Sequence, residues 1–151
     1  MYIRRDASVT KNTDLTITGA YFFNNSAYGT GDNNSGGQGG AILVNGINVI
    51  LSLCRFEKNF ARSDGMFTEF PSAGGALYVT EIATTSINDC FFLNNYVDGG
   101  RAGAIFATDS NILLIFNSTL RNNFVTSSYN FKSSGGAISI AQRGWNVICL
   151  L

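Results

Sequence analysis

The chain has no histidine among its 151 residues. That excludes every site built on an imidazole: the His-based catalytic triads, His metal centres and a His proton switch. Proline occurs once and tryptophan once. Charge is scarce: 13% of residues are charged, against about 25% in an ordinary soluble domain. Lys+Arg and Asp+Glu are ten each, for a formal net charge of zero, so the basic footprint of a nucleic-acid binder is missing. No run of eighteen apolar residues occurs, and with it goes the signature of a membrane-crossing helix. The start, Met1-Tyr2-Ile3-Arg4-Arg5, runs into polar residues rather than an apolar stretch, so no signal peptide is read in this segment. No Gly-rich loop ending in Gly-Lys-Ser/Thr is present, which removes the phosphate-cradling P-loop. Three cysteines, Cys54, Cys90 and Cys149, are too few for a disulfide scaffold and do not settle the redox compartment.

What the chain does have is glycine and asparagine, 17 of each, among β-branched and aromatic residues. This composition predicts many short strands joined by turns. It also has a repeat. The tetrapeptide Gly39-Gly40-Ala41-Ile42 returns as Gly74-Gly75-Ala76-Leu77, Ala102-Gly103-Ala104-Ile105 and Gly135-Gly136-Ala137-Ile138. The second glycine advances in steps of 35, 28 and 33 residues (40 to 75, 75 to 103, 103 to 136). Such a period is the mark of a solenoid, in which each repeat buries its apolar face on the next.

A second motif trails the first. Phe56 to Asn59, Phe92 to Asn95 and Leu120 to Asn123 follow the first three glycine motifs, and Phe22 to Asn25 stands upstream without one. The distance from second glycine to asparagine is 19 residues once (40 to 59) and 20 twice (75 to 95, 103 to 123). Between them lie two period-2 pairs, such as Val49/Leu51 and Cys54/Phe56, separated by one extra residue. Period 2 is the strand signal, and the extra residue flips the parity. Bends are therefore predicted at Thr18-Gly19, Ser52-Leu53, Asn88-Asp89 and Phe116-Asn117. Ile42/Val44, Leu77/Val79, Ile105/Ala107 and Ile138/Ile140 share an inward parity. Leu43, Tyr78, Phe106 and Ser139 share the other, which predicts solvent exposure. The pattern implies coils of three strands stacked about 4.8 Å apart as parallel sheets. All length variation falls into stretches 26–38, 60–73, 96–101 and 124–134, which predicts loops leaving one corner. Regular repeats cover residues 13–140 of a single domain, 1–151, with ragged ends at 1–12 and 141–151. The missing first Gly-Gly-Ala and last Phe-x-x-Asn lead to the expectation of a fragment that continues into further coils.

The repeated Gly-Gly-Ala-Ile followed by Phe-x-x-Asn resembles the repeats of chlamydial polymorphic outer membrane proteins and similar repeat proteins of some protists. These belong to the right-handed parallel β-helix, pectate-lyase-like superfamily. The likeness spans nearly the whole chain; Ala102 for the first glycine and Leu120 for Phe depart from it. It implies an all-β, right-handed, single-stranded parallel β-helix of about four coils. It also implies an extracellular or cell-surface location and an adhesive role without enzymatic activity, with loops 26–38, 60–73, 96–101 and 124–134 contacting a host or cell-surface protein or glycan. No cofactor, metal, nucleic acid or membrane insertion is implied for this segment, and no catalytic residue is assigned.

Side chains at equivalent positions carry further expectations. Asn25, Asn59, Asn95 and Asn123 predict a stacked asparagine ladder whose amides satisfy one another at a corner. Phe22, Phe56 and Phe92 predict an aromatic column in the core. Cys54 and Cys90 share a position with Ala20 and Ser118 that demands a small side chain, which favours buried free thiols; neighbouring coils also bring the two near enough for a disulfide on distance alone, so the alternative of a paired state stays open. Tyr78 and Phe106 stand as an outward aromatic pair that either contacts a ligand or stiffens the sheet. Asp32-Asn33-Asn34-Ser35-Gly36-Gly37 offers a single carboxylate and reads as a turn rather than a calcium loop. The sequons at Asn24, Asn33 and Asn117 are no more than chance provides.

The alternative function is polysaccharide lysis or hydrolysis on the same fold, which needs carboxylates gathered across coils. Only Glu81 and Asp109 recur at one offset, 6 residues past their glycine (75 to 81, 103 to 109), with Arg101 or Arg143 as basic companions. A third acid is lacking.

Overall fold

In the computed structural model the described residues are 1–4, 14–29, 36–63, 72–81, 84–109, 112–126 and 134–141. The chain runs through β1 (Tyr2–Arg4), β2 (Asp14–Thr18), β3 (Tyr21–Phe23) and β4 (Ser26–Gly29). It repeats the circuit through β5 (Ile42–Asn45), β6 (Asn48–Ser52), β7 (Arg55–Glu57), β8 (Phe60–Ser63) and a short β9 (Ser72–Ala73). The next circuit is β10 (Leu77–Thr80), β11 (Thr84–Asn88), β12 (Phe91–Leu93), β13 (Tyr96–Asp98) and β14 (Gly100–Arg101). Then come β15 (Ile105–Thr108), β16 (Ile112–Phe116), β17 (Thr119–Arg121), β18 (Phe124–Thr126) and β19 (Ile138–Ala141). Equivalent strands pair in parallel. Sheet A is β1-β5-β10-β15-β19, sheet B β16-β11-β6-β2, sheet C β17-β12-β7-β3, sheet D β18-β13-β8-β4 and sheet E β14-β9. The architecture is an all-β solenoid, and no described residue is helical.

Register follows the repeat. Ile42 pairs with Leu77, Leu77 with Ile105 and Ile105 with Ile138. Val49 pairs with Thr85 and Thr85 with Leu113; Phe22 pairs with Phe56, Phe56 with Phe92 and Phe92 with Leu120. Like side chains thus pile into columns. Ile42, Val44, Leu51, Leu77, Ile87, Ile105 and Ile115 are fully buried in one core. Phe22, Phe56 and Phe92 stack with centroids 4.7 and 4.6 Å apart and planes within 7°. Complete burial of the Phe56 and Phe92 rings contributes about 1.5–3 kcal/mol each, while Phe22 at the end of the column is only partly buried.

The corners explain the parity flips. At the turn from B to C the backbone is left-handed at Gly19, Leu53, Asp89 and Asn117, with φ of 66°, 54°, 52° and 43°. These are the predicted bends. The turn from C to D repeats it at Asn24, Lys58, Asn94 and Asn122, and the turn from A to B at Gly46, Glu81 and Asp109. The entry to sheet A does so at Gly39, Gly74, Ala102 and Gly135. Asparagine, aspartate and glycine tolerate this conformation best, so their abundance is a consequence of the number of corners.

The second glycine of each motif serves another purpose. A Cβ on Gly75 would lie 2.2 Å from the carbonyl oxygen of Gly103 and 2.5 Å from that of Tyr96, and one on Gly40 would lie 2.1 Å from that of Gly75. Backbone stacks on backbone here, and no side chain fits.

Two expectations are corrected. Each circuit holds four strands rather than three, because stretches 26–38, 60–73, 96–101 and 124–134 open with β4, β8, β13 and β18. Each of these strands turns only one or two small residues inward, Ala27 and Gly29, Ala61 and Ser63, Val97, and Val125. So few inward residues are too short a run for alternation to be read. Residues 30–35, 64–71 and 127–133 of these stretches, including the Asp32 turn, lie outside the described residues.

The second correction concerns the outer side of sheet A. Phe106 is 5% exposed and packs with Ala73, Ala102, Tyr78 and Ala141. The segment returning through sheet E covers that face, so Tyr78 and Phe106, 5.2 Å apart, are a packed lateral pair rather than an exposed one.

Candidate functional site

The Asn corner joins sheets C and D, and both sheets turn aromatic residues outward. The corner is rigid. Asn25, Asn59 and Asn95 each donate from Nδ2 to the Oδ1 of the next ladder residue at 2.9, 2.9 and 3.0 Å. Each also donates its backbone N–H to that same oxygen. The remaining Nδ2 proton of Asn59, Asn95 and Asn123 goes to the carbonyl of Phe22, Phe56 and Phe92. Every amide proton that the buried ladder residues Asn59 and Asn95 carry is therefore used. The expected asparagine ladder is present, and it fixes the angle between the two faces.

On sheet D the outward column is Ser26, Phe60, Tyr96, Phe124. Phe60 and Tyr96 stack at 5.1 Å and Tyr96 and Phe124 at 5.3 Å, with planes within 7°; Tyr28 meets Phe60 edge-on at 5.3 Å. Phe124 and Tyr28 are about half exposed. Beside the rings, Arg62 faces Asp98 at 3.7 Å, and the Thr126 hydroxyl donates to Asp98 at 2.9 Å. The rings present edges outward, because their faces are used on one another.

On sheet C the outward columns are Tyr21, Arg55, Phe91, Thr119 and Phe23, Glu57, Leu93, Arg121. Tyr21 is 58%, Phe23 48% and Phe91 47% exposed. The Tyr21 hydroxyl donates to Glu57 Oε2 at 2.9 Å, and Arg55 Nε donates to the same oxygen at 3.0 Å. The Arg55 guanidinium sits 5.8 Å from the Tyr21 centroid, and the Lys58 ammonium 5.5 Å from that of Phe23. The Tyr21 hydrogen bond first, and Arg55 next, hold the Glu57 carboxyl below its ordinary range. Partial desolvation and the bond to Glu57 push the Tyr21 phenol up. The result is a surface network of one carboxylate, two cations and two rings, with Arg121 further along the axis.

Glu81 and Asp109 are placed differently. Both are exposed residues of the A-to-B corner in left-handed backbone. Asp109 accepts the Thr108 hydroxyl at 3.2 Å. Burial and the Asp109 charge push the Tyr78 phenol up. Arg101 belongs to sheet E, and Arg143 lies outside the described residues. No group of three or more Cys, Asp or Glu suited to a metal ion occurs among the described residues.

Cys54 and Cys90 are free and buried. The Cys54 N–H donates to Cys90 Sγ at 3.4 Å, and both thiols donate to carbonyls two residues back, at Ser52 and Asn88. Burial pushes the Cys90 thiol up to about 11. The position is structural; Cys149 lies outside the described residues.

The aromatic face of sheet C was not among the sequence-based candidates, whereas the sheet D column falls within the stretches 26–38, 60–73, 96–101 and 124–134 expected to make contacts, there read as loops rather than as strands. The signal lay in the offsets: an aromatic one past the ladder Asn (Phe60, Tyr96, Phe124), and one just before the core Phe (Tyr21, Phe91). Comparison of the chain with protein-family models, with curated proteins and with solved structures returns no match.

Proposed function

We propose that the chain is a non-enzymatic binding module: a segment of a right-handed, single-stranded parallel β-helix of about four coils, continued by further coils. In this reading it is secreted or displayed at a cell surface and contacts a protein or glycan. The observation that carries the reading is the set of half-exposed aromatic side chains, Tyr21, Phe23, Phe91, Tyr28 and Phe124, on the outer sides of two neighbouring sheets. Large apolar side chains gathered on an exposed face are a mark of interaction surfaces. The stretches near 26–38, 60–73, 96–101 and 124–134 begin on sheet D and would add the contacts beyond its strands. The placement of the described acids supports the non-enzymatic side of the proposal, since Glu81 and Asp109 are exposed residues on turns.

The test is binding of the purified protein to a panel of immobilised extracellular proteins and glycans. Phe23→Ser and Phe91→Ser are measured alongside the native chain, with circular dichroism as the check on folding. Binding by the native chain that the folded variants lose supports the module. Equal binding by the variants, or turnover of an acidic polysaccharide that Asp109→Asn abolishes, overturns it.

A further inference from the structure

We draw no further inference here: the strongest candidate, the exposed patch of Tyr21, Arg55, Glu57 and Phe91 on the outer side of sheet C, belongs to the binding face already described, and nothing in the structure shows what covers it.

Discussion

The Asn59 side chain and its own backbone N–H both donate to one oxygen, Oδ1 of Asn95, at 2.9 and 3.0 Å. The same pairing recurs one step earlier and one step later. A single residue type thus closes the corner between sheets C and D at every level.

Replacement of Asn95 by Ala should be costly for that reason. It orphans the Asn59 N–H and Nδ2 and frees the Phe56 carbonyl, in a position 0% exposed. About 1–3 kcal/mol is expected for a buried group left unmet, and chemical denaturation measures it. A change under about 0.3 kcal/mol would show that water reaches the corner.

Gly75→Val should abolish folding. The new Cβ would stand within 2.5 Å of two backbone oxygens, and neither can withdraw without breaking the stack. An unaltered melting temperature would contradict the close approach.

Leu53→Asn should stabilise the fold. Leu53 holds φ 54° and is 64% exposed, so its side chain gains little from packing while its backbone is strained. Asparagine suits this corner, since Asn117 already occupies the equivalent position one circuit beyond Asp89, with φ 43°. A gain of about 1 kcal/mol is expected, read as a shift in denaturation midpoint. An unchanged or lowered midpoint would show that the leucine packs in solution.

Thr85→Val should also stabilise. Thr85 is 0% exposed between Val49 and Leu113, and its hydroxyl has no hydrogen-bond partner among the described residues. Removing a buried unmet hydroxyl at constant shape should gain about 1 kcal/mol. A loss of stability would mean that the hydroxyl is satisfied in solution.

Cys90 should resist alkylation until the protein opens. Its thiol is raised from 9.0 to about 11 by burial. At pH 8 only about one thiol in a thousand is ionised. In a Cys149→Ser background, labelling should therefore track unfolding by denaturant. The sign of the pH effect follows: the unfolded chain gives up this proton more readily, so the contribution is intact at neutral pH and lost as pH rises from about 9 to about 11. Rapid labelling of native protein at pH 8 would contradict the burial.

Much of this molecule was determined by sequence alone. The repeat set the strand positions, the inward columns, the asparagine ladder and the B-to-C bends, because a solenoid places residue n of one circuit on residue n of the next. Tertiary structure alone decided the fourth strand, whose one or two small inward residues, such as Ala61 and Ser63 or Val97 alone, are too few for periodicity to detect. It alone decided that Phe106 is covered, because what lies over sheet A returns from the preceding circuit. It alone assembled Tyr21, Arg55, Glu57 and Lys58, since contacts among outward side chains of adjacent strands depend on pairing and rotamer, and alternation reports only that they face away from the core.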